Sequence, residues 1–288
     1  MKFQIVDAFS DKLFGGNPAG VVLIDNGQEF PLDVTMQKTA AELRYSETAF
    51  VKKMNENEFT IRYFTPASEV ELCGHATIGS FGALLETGVV RDGSSYILHT
   101  LAGTLQVEIK DGLIWMDMAL PQVVNTLSRS EQRQELANVM GIHEDDLYLE
   151  PQIVSTGLPD ILMGVRSLAV LNNIQPDFPA LSKLSEQYGV TGVHAFSLGT
   201  DKVTANCRNF APLYAIDEEA ATGTSNGALT FYLYQQGFIK EEQENLFIQG
   251  ESMGRPSKIM SRLQTVNEIV KIQVGGVYKR LAQGEIYI

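Results

Sequence analysis

A short stretch of this sequence occurs twice, and the repetition constrains the fold more than any other feature. The first copy, Glu69–Thr77, reads EVELCGHAT, and the second, Glu218–Asn226, reads EEAATGTSN. Each copy follows a Phe-x-Pro tripeptide and leads into an apolar, small-residue segment that ends at a glycine, the same distance away in both copies. We therefore predict two similar helices that begin at Gly74 and Gly223 and end at a C-terminal glycine.

The beginning of each predicted helix is suited to binding an anion. Backbone N–H groups in the first turn have no partner within the helix, and the helix dipole places partial positive charge there. A carboxylate is the common small-molecule anion that fits such a position. Two such helices that face one cleft would form a carboxylate-binding site between two similar domains.

A second internal match supports a duplicated domain. Gly16-Asn17-Pro18 precedes an apolar strand in the first half, and Gly157-Leu158-Pro159 precedes one in the second half, each ahead of the glycine-led helix. Short strands in meanders around one long helix per half predict an α+β fold, and 288 residues suit two domains. We place the boundary between residues 119 and 120, with a linker over 121–127, so that the second domain covers 120–278.

Composition limits the classes of binding partner and the cellular compartment that fit this chain. The formal net charge of −13 argues against nucleic acid and anionic membranes, which the surface would repel, and it requires local compensation around any carboxylate site. No apolar run has the length of a signal peptide or a membrane-spanning helix. The two cysteines form neither a disulfide framework nor a zinc cluster, so we expect a reduced, cytoplasmic protein.

Glu47 is the first candidate for a general acid/base. It lies in Tyr45-Ser46-Glu47-Thr48-Ala49-Phe50, where a predicted helix gives way to a strand and the neighbours are small or apolar. A carboxyl group that loses hydration there should have its pKa raised toward neutrality, which suits proton transfer. The alternative is an ordinary glutamate at an exposed strand end.

His75 and Cys73 flank the glycine that begins the first repeated helix. The helix dipole disfavours an imidazolium at this end, so we expect His75 to be neutral if it binds substrate; a purely structural histidine is the alternative. The same dipole can lower the pKa of the Cys73 thiol, although a small buried residue would also fit there. The corresponding residue in the second copy is Thr222, so the two copies of the repeat do not supply a matching pair of thiols.

Other motifs give no support to further classes of chemistry. Residues 223–227 match the hydrolase pattern G-x-S-x-G, but that chemistry requires a histidine after the serine, and every histidine precedes Ser225. The chain has no H-x-x-x-H, C-x-x-C, Walker A or G-x-G-x-x-G motif. Glu218 and Glu219 are adjacent carboxylates that fit a charged loop before a helix as well as a divalent-ion site. We expect no cofactor and no metal.

The sequence resembles the phenazine-biosynthesis PhzF family, which is related to diaminopimelate epimerase. The resemblance extends almost from end to end, and its most specific motifs are Gly16-Asn17-Pro18-Ala19-Gly20-Val21, Ser46-Glu47-Thr48-Ala49-Phe50, Leu72-Cys73-Gly74-His75-Ala76-Thr77 and Ala221-Thr222-Gly223. It implies two pseudo-symmetric domains, each a mostly antiparallel sheet rolled around a central helix. By the same analogy, the last strand, 279–288, returns to the first domain, 1–119.

The resemblance also assigns roles to particular residues. The general acid/base of the family falls on Glu47, its substrate-site histidine falls on His75, and its Asp-Pro-Ala-Thr-Gly-Ser segment falls on residues 219–224. Glu219 replaces the usual aspartate, Ala220 the proline and Thr224 the serine, which leaves the identity of the substrate open. The absence of a second thiol excludes racemisation by two cysteines.

Together these observations predict a cofactor-independent isomerase that moves a proton between carbons of a small carboxylate, as in a biosynthetic pathway. Glu47 is the catalytic residue, and the residues expected to bind substrate are Ser46, Gly74, His75, Glu219, Gly223 and Thr224. A non-catalytic protein that binds small carboxylates, and a hydrolase or lyase with the same base, are the alternatives. The resemblance also implies a homodimer.

Overall fold

The computed structural model describes all 288 residues and consists of six α-helices and eighteen strands. The helices are α1 Asp33–Leu43, α2 Gly74–Glu86, α3 Ser130–Val139, α4 Leu168–Asn173, α5 Phe178–Tyr188 and α6 Gly223–Gln235. The strands are β1 Lys2–Ala8, β2 Asn17–Leu23, β3 Thr48–Lys53, β4 Glu58–Phe64, β5 Glu69–Val70, β6 Ser94–Thr100, β7 Gly103–Lys110, β8 Leu113–Asp117, β9 Gln122–Thr126, β10 Gln152–Ser155, β11 Pro159–Val165, β12 Val193–Leu198, β13 Ala205–Ala211, β14 Ile216–Glu219, β15 Asn245–Gln249, β16 Ser257–Val266, β17 Ile269–Gly276 and β18 Tyr278–Glu285.

The chain separates into two compact units. The first unit contains residues 1–117 and 275–288, and the second contains residues 118–274. No helix in the protein is both long enough and apolar enough to cross a membrane.

The first unit is built on a mixed sheet that is mostly antiparallel. The strands β1 and β2 pair antiparallel, β2 and β3 parallel, β3 and β4 antiparallel, β4 and β6 parallel, and β6 and β7 antiparallel. The short strand β5 adds to β4, and β18, near the end of the chain, pairs antiparallel with β1. An antiparallel meander, β6 to β8, follows the central helix, as its glycine turns predicted.

The second unit repeats the same order of pairings. The strands β10 and β11 pair antiparallel, β11 and β12 parallel, β12 and β13 antiparallel, β13 and β15 parallel, and β15 and β16 antiparallel. The short strand β14 adds to β13 as β5 adds to β4. The sequence repeat is therefore matched by a repeat of strand topology, which two unrelated halves would not share by chance.

Each unit buries one of the two repeated helices. Every residue of α2 from Gly74 to Leu84 is buried, and α6 is buried at all positions from Gly223 to Thr230. A helix that is buried on all sides must consist of small and apolar residues, and this explains the Gly, Ala, Ser and Thr content of both segments. The helix α2 packs on β1, β2 and β3, whereas α6 packs on β10, β11 and β16.

Most predicted elements are present, with differences at their ends, but α4 and the short strands β5 and β14 were not predicted, and two longer segments were also misjudged. The predicted linker over 121–127 is wrong, because Gln122–Thr126 forms β9 and pairs antiparallel with β10. The strand β16, Ser257–Val266, was not predicted. The last strand was expected over 279–288 and covers Tyr278–Glu285, where it pairs with β1 of the first unit.

Candidate active site

The turn between α1 and β3 places Ser46 and Glu47 immediately before β3, an interior strand of the first unit's sheet. The helix α1 ends at Arg44, whose left-handed backbone, with φ of 59°, reverses the chain direction. The Glu47 carbonyl then accepts a hydrogen bond from the Gly20 N–H of β2, at 3.3 Å, just before β3 begins. This hydrogen bond fixes the Glu47 backbone to a central strand and therefore fixes the position from which the Glu47 side chain extends.

The His75 side chain lies at the centre of a buried polar group in the first turn of α2. Its Nε2 lies 3.2 Å from Glu47 Oε2 and 3.3 Å from Ser46 Oγ. On the other side of the ring, Nδ1 lies 3.1 Å from the Asn17 side-chain nitrogen and 3.4 Å from Cys73 Sγ. The His75 side chain is 3% exposed and that of Glu47 is 13% exposed, so this group has little contact with water.

The protonation states differ from both expectations. Burial alone raises the pKa of Glu47, but the positive charge of His75 and contacts with Ser46 and Cys73 outweigh it, and the net pKa lies below the ordinary value. Burial likewise lowers the pKa of His75, but the Cys73 sulfur and the Glu47 carboxylate move it well above the ordinary value. The predicted rise for Glu47 and the predicted neutral imidazole are therefore wrong, because the two groups form a buried ion pair.

Cys73 is a buried, protonated thiol in the unliganded protein. Burial and the neighbouring Glu47 carboxylate raise its pKa to about 11, against the opposing influence of His75. The lowering expected from the helix N-terminus is thus overridden by loss of hydration. A doubly protonated His75 needs an acceptor at Nδ1, and the Asn17 amide provides one when its oxygen faces the ring.

Both repeated helices begin without a side-chain cap. Cys73 and Thr222 occupy the N-cap positions with extended backbones, and neither side chain accepts a hydrogen bond from the first turn. A Ser, Thr, Asp or Asn cap normally satisfies one of those N–H groups. Gly74, His75, Gly223 and Thr224, the residues predicted to hold a carboxylate, all lie in these two uncapped first turns.

In the second unit, a buried glutamine organises the loop before α6. Gln249 donates from Nε2 to the Glu219 carbonyl at 2.8 Å, and its Oε1 accepts from the Thr222 N–H at 3.3 Å and from Asn226 Nδ2 at 2.8 Å. The Thr222 hydroxyl donates to Glu219 Oε2 at 2.5 Å. The hydroxyl that could cap the helix is therefore engaged by Glu219, which is partly exposed at the end of β14.

Replacing Gln249 by leucine should destabilise the second unit by about 2 kcal/mol, because a buried residue of similar size would leave the Thr222 N–H and the Asn226 amide unsatisfied. Urea unfolding followed by circular dichroism measures the effect. Gln249→Glu, compared with the leucine variant at pH 4 where the buried carboxyl group is protonated, keeps an acceptor for both donors and a hydroxyl donor for the Glu219 carbonyl, and should cost less. Equal losses for the two variants would show that the hydrogen bonds do not organise the loop.

Ser225 belongs to a buried cluster that is not a hydrolase triad. Its hydroxyl donates to Asp160 Oδ2 at 2.6 Å and accepts from Asn209 Nδ2 at 3.1 Å. The same Asn209 nitrogen lies 3.2 Å from Nδ1 of His194, so the asparagine separates the histidine from the serine. Burial lowers the pKa of His194 to about 3, which removes it as a base at neutral pH.

The Asp160 carboxyl makes the stability of the second unit depend on pH. Burial raises its pKa from 3.8 to about 6, despite the hydrogen bond from Ser225. Because the folded state keeps the proton to higher pH than the unfolded state, its contribution to stability is complete below pH 3.8 and is lost as pH rises to about 6. We expect the free energy of unfolding of Asp160→Asn, relative to wild type, to rise by about 2 kcal/mol between pH 4 and pH 7.

The measurement is urea unfolding of both proteins at the two pH values, since the difference between them cancels the contributions of other carboxylates. Asp201→Asn, at an exposed position of the same unit, is the matched control and should show no such change. A difference between Asp160→Asn and wild type that is the same at both pH values would contradict the assignment.

A matching arginine–glutamate pair holds the loop before each repeated helix. Arg62 of β4 binds Glu69 through two hydrogen bonds of 2.7 and 2.6 Å, and Arg208 of β13 binds Glu218 in the same way, at 2.9 and 2.8 Å. Glu69 and Glu218 occupy equivalent positions in the two copies of the repeat. Glu218 is thus an ion-pair partner of Arg208, which accounts for it without a divalent ion.

The sequence therefore identified the residues of each unit that come together, but it missed their partners. Ser46, Glu47, Gly74 and His75 lie together in the first unit, and Glu219, Gly223 and Thr224 lie together in the second. Asn17 and Gln249 were not predicted as site residues. Asn17 belongs to a motif that was recognised, whereas Gln249 ends an ordinary strand and carries no sequence signal.

Comparison with known proteins identifies the family. The model of the family described as "Phenazine biosynthesis-like protein" matches residues 6–280. An uncharacterized isomerase of Clostridium acetobutylicum is 33% identical, over 94% of this chain and 93% of its own. The trans-2,3-dihydro-3-hydroxyanthranilate isomerase of Pseudomonas chlororaphis is 30% identical, over 99% of each chain.

Solved structures show the same fold. A phenazine biosynthesis protein of the PhzF family from Bacillus anthracis superposes with a TM-score of 0.88 at 27% identity, covering 100% of this chain and 99% of its own. A hydroxyproline epimerase from Agrobacterium vitis superposes with a TM-score of 0.67 at 14% identity, covering 99% and 90%, and this likeness concerns the fold alone. The chain therefore belongs to the phenazine biosynthesis-like PhzC/PhzF family and is an isomerase with an epimerase-like α+β fold.

Proposed function

We propose that the protein isomerises a small carboxylate substrate without a cofactor, and that Glu47 removes a proton from one carbon and returns it to another. The observation that carries the proposal is the state of Glu47 Oε2. This oxygen is buried and makes no hydrogen bond of normal geometry, although His75 Nε2 lies 3.2 Å away. A dry carboxylate oxygen that no donor occupies is available to accept a proton from carbon.

The ion pair with His75 prepares Glu47 for this role. The lowered pKa of Glu47 keeps the carboxylate ionised, which is the form that a base needs, but the neighbouring imidazolium also weakens it as a base. A negatively charged substrate that accepts a hydrogen bond from His75 competes for that positive charge. Glu47 then becomes more basic when substrate is bound, and the proton transfer follows binding.

The two uncapped helix starts are proposed to hold the substrate in the inter-domain cleft that the family resemblance implies. Main-chain N–H groups of Gly74, His75, Gly223 and Thr224 would supply hydrogen bonds and partial positive charge to the carboxylate. These local sources offset the net charge of −13, which otherwise repels an anion. Ser46 and Glu219 are proposed to orient the polar groups of the substrate.

A named relative supports a proposal for the substrate class. The Pseudomonas chlororaphis protein isomerises trans-2,3-dihydro-3-hydroxyanthranilate, as its name states, and is 30% identical to this chain. We propose that this chain acts on a cyclic hydroxy acid of similar size. Glu219 and Ala220, where the family has aspartate and proline, lie on the loop that would contact the substrate, so the preferred compound is expected to differ.

The test is proton tracing by NMR. The protein is incubated in D₂O with trans-2,3-dihydro-3-hydroxyanthranilate and a panel of cyclic hydroxy acids. We expect an isomer in which the migrating hydrogen is largely protium, since a single base in a dry pocket returns the proton that it removed. Binding without chemical change would favour the alternative of a non-catalytic binder, and loss of water or addition of water would favour a lyase or hydrolase.

The proposal extends to the compartment, the oligomeric state and the classes of partner. We propose a cytoplasmic homodimer that binds neither nucleic acid nor membranes, in keeping with its acidic surface. Sedimentation analysis at micromolar concentration tests the oligomeric state, and a monomer would contradict it.

A further inference from the structure

Glu47, Cys73 and His75 bring three different metal-binding groups together in the first unit. One carboxylate oxygen, one sulfur and one imidazole nitrogen all lie within 4.8 Å of one another. A thiolate, an imidazole and a carboxylate form a donor set typical of zinc, whereas magnesium and calcium prefer oxygen ligands alone. Nothing in the isomerase chemistry proposed above uses the Cys73 sulfur.

Two of the distances between these atoms are close to the edges of a tetrahedral zinc site, and the third, from Cys73 Sγ to the Glu47 carboxylate, is at most 4.8 Å. Typical bond lengths of about 2.3 Å to sulfur and 2.0–2.1 Å to nitrogen or oxygen place sulfur and nitrogen about 3.5 Å apart, and nitrogen and oxygen about 3.3 Å apart. The corresponding distances here are 3.8 Å from Cys73 Sγ to His75 Nε2 and 3.2 Å from that nitrogen to Glu47 Oε2.

The orientation of Glu47 is also that of a metal ligand. Its Oε2 is close to His75 Nε2 but does not lie along the direction of a hydrogen bond. In a metal site, the cation occupies the direction of the nitrogen lone pair, and the neighbouring ligand atom lies to one side of it. The observed contact has this off-axis arrangement.

Asn17 lies beside the ring nitrogen of His75 that would not bind the metal. A histidine that binds a metal through one nitrogen almost always donates its other N–H to a fixed acceptor. The Asn17 side-chain nitrogen, on a residue 5% exposed, lies 3.1 Å from His75 Nδ1, and rotation of the amide by 180° puts its oxygen at this position as the acceptor. On the other side of the ring, Nε2 lies 3.2 Å from Glu47 Oε2 and 3.8 Å from Cys73 Sγ, which is itself 3.4 Å from Nδ1.

We propose that Glu47, Cys73 and His75 form a three-ligand site for a thiophilic divalent cation of the zinc class, which switches the enzyme off by occupying the general base. Binding releases the thiol proton of Cys73 and the Nε2 proton of His75, and the cation takes their places. Three protein ligands leave a fourth position for water. The inhibitory consequence rests on the proposed role of Glu47, whereas the binding does not.

Cobalt spectroscopy tests the binding directly. Co²⁺ is added to the protein kept reduced with a phosphine, and absorption is recorded in the near ultraviolet and the visible. We expect a thiolate-to-cobalt charge-transfer band and the strong visible bands of four-coordinate cobalt, both removed by an equivalent of Zn²⁺. Cys73→Ser should abolish the charge-transfer band, and Cys207→Ser, at the other buried cysteine, should keep it. Absence of the bands in wild type, or their survival in Cys73→Ser, would overturn the site.

Inhibition is measured separately, with each variant compared with its own metal-free rate. Zn²⁺ should inhibit wild type and Cys207→Ser at one equivalent, and a chelator should restore the rate. Cys73→Ser should need at least about a hundredfold more zinc, given the loss of a ligand. If cobalt binds as described but zinc leaves turnover unchanged, the metal site stands and the role of Glu47 as base is wrong. If no substrate is turned over, the spectroscopy still decides the site.

Discussion

Replacing Glu47 by glutamine is expected to lower kcat about a thousandfold, with little change in KM, since a positioned general base contributes between about a hundredfold and ten-thousandfold. The amide has nearly the volume of the carboxyl group, so the buried pocket keeps its shape, but it cannot accept a proton from carbon. The substrate contacts proposed for the helix starts do not involve this side chain. The loss should therefore fall on the chemical step and not on binding.

Glu71→Gln is the matched control for this prediction. Glu71 lies in the same unit, two residues before Cys73, but its side chain is exposed. Its replacement changes the charge of the protein by the same amount without touching the pocket, so kcat should stay within twofold of wild type. Turnover of Glu47→Gln within tenfold of wild type, with thermal unfolding showing an intact fold, would exclude Glu47 as the base.

The residues that the sequence marked in the first unit lie close together, but the sequence misjudged their electrostatics. Both Glu47 and His75 lie in motifs that resemble those of the family, and such motifs can be recognised from residue identity alone. The pKa of each depends on the other, and neither local sequence contains its partner: 28 positions separate the two. A prediction from neighbours alone could consider burial and the helix dipole, whereas the ion pair at 3.2 Å determines the result.

The strands were predictable where buried positions are apolar and alternate with polar ones. They were not predictable where the buried positions are polar. The strand β16 alternates buried and exposed side chains in the usual way, but two of its buried positions are Ser257 and Ser261. Ser257 donates to the Ala220 carbonyl, and Ser261 accepts from Thr230 of α6. These serines are buried because they are hydrogen-bonded, and hydrophobic periodicity cannot reveal such a strand.

The predicted linker failed for the opposite reason. The strand β9, Gln122–Thr126, has four exposed residues followed by one that is partly exposed. It therefore lacks the alternation of a half-buried strand, and Pro121 before it suggested a break in regular structure. Its pairing with β10 depends on backbone hydrogen bonds, which any sequence without proline can form.

Arg208→Met is expected to destabilise the second unit by about 4 kcal/mol, because removing one partner of a buried ion pair leaves an uncompensated charge. The Arg208 and Glu218 side chains are only 11% and 15% exposed. The guanidinium also donates to the Leu171 and Ile174 carbonyls at the end of α4, at 3.1 and 2.8 Å. Methionine keeps an apolar stem against the Phe210 ring, so the variant removes the charge and the hydrogen bonds while much of the packing remains.

The first unit contains the equivalent ion pair, which is more exposed and serves as an internal comparison for Arg208 and Glu218. Arg62 makes the same two-point contact with Glu69, but these side chains are 21% and 22% exposed, and its second partner, Asp33, is 77% exposed. Water can solvate Glu69 after Arg62→Met, so we expect a loss of about 1–2 kcal/mol there. Hydrogen exchange at increasing urea concentrations, read separately for peptides of each unit, measures both losses.

A double variant separates the charge from the rest of the interaction. Arg208→Met combined with Glu218→Met removes the buried carboxylate that the single variant leaves unpaired. Replacing both members of a buried pair by apolar residues is often nearly neutral, so about half of the loss or more should be recovered. If the double variant is as unstable as Arg208→Met alone, the destabilisation comes from the two uncapped carbonyls of α4 instead. The arginine would then serve mainly as a helix cap, and the resemblance between the two arginine–glutamate pairs would be one of geometry and not of energy.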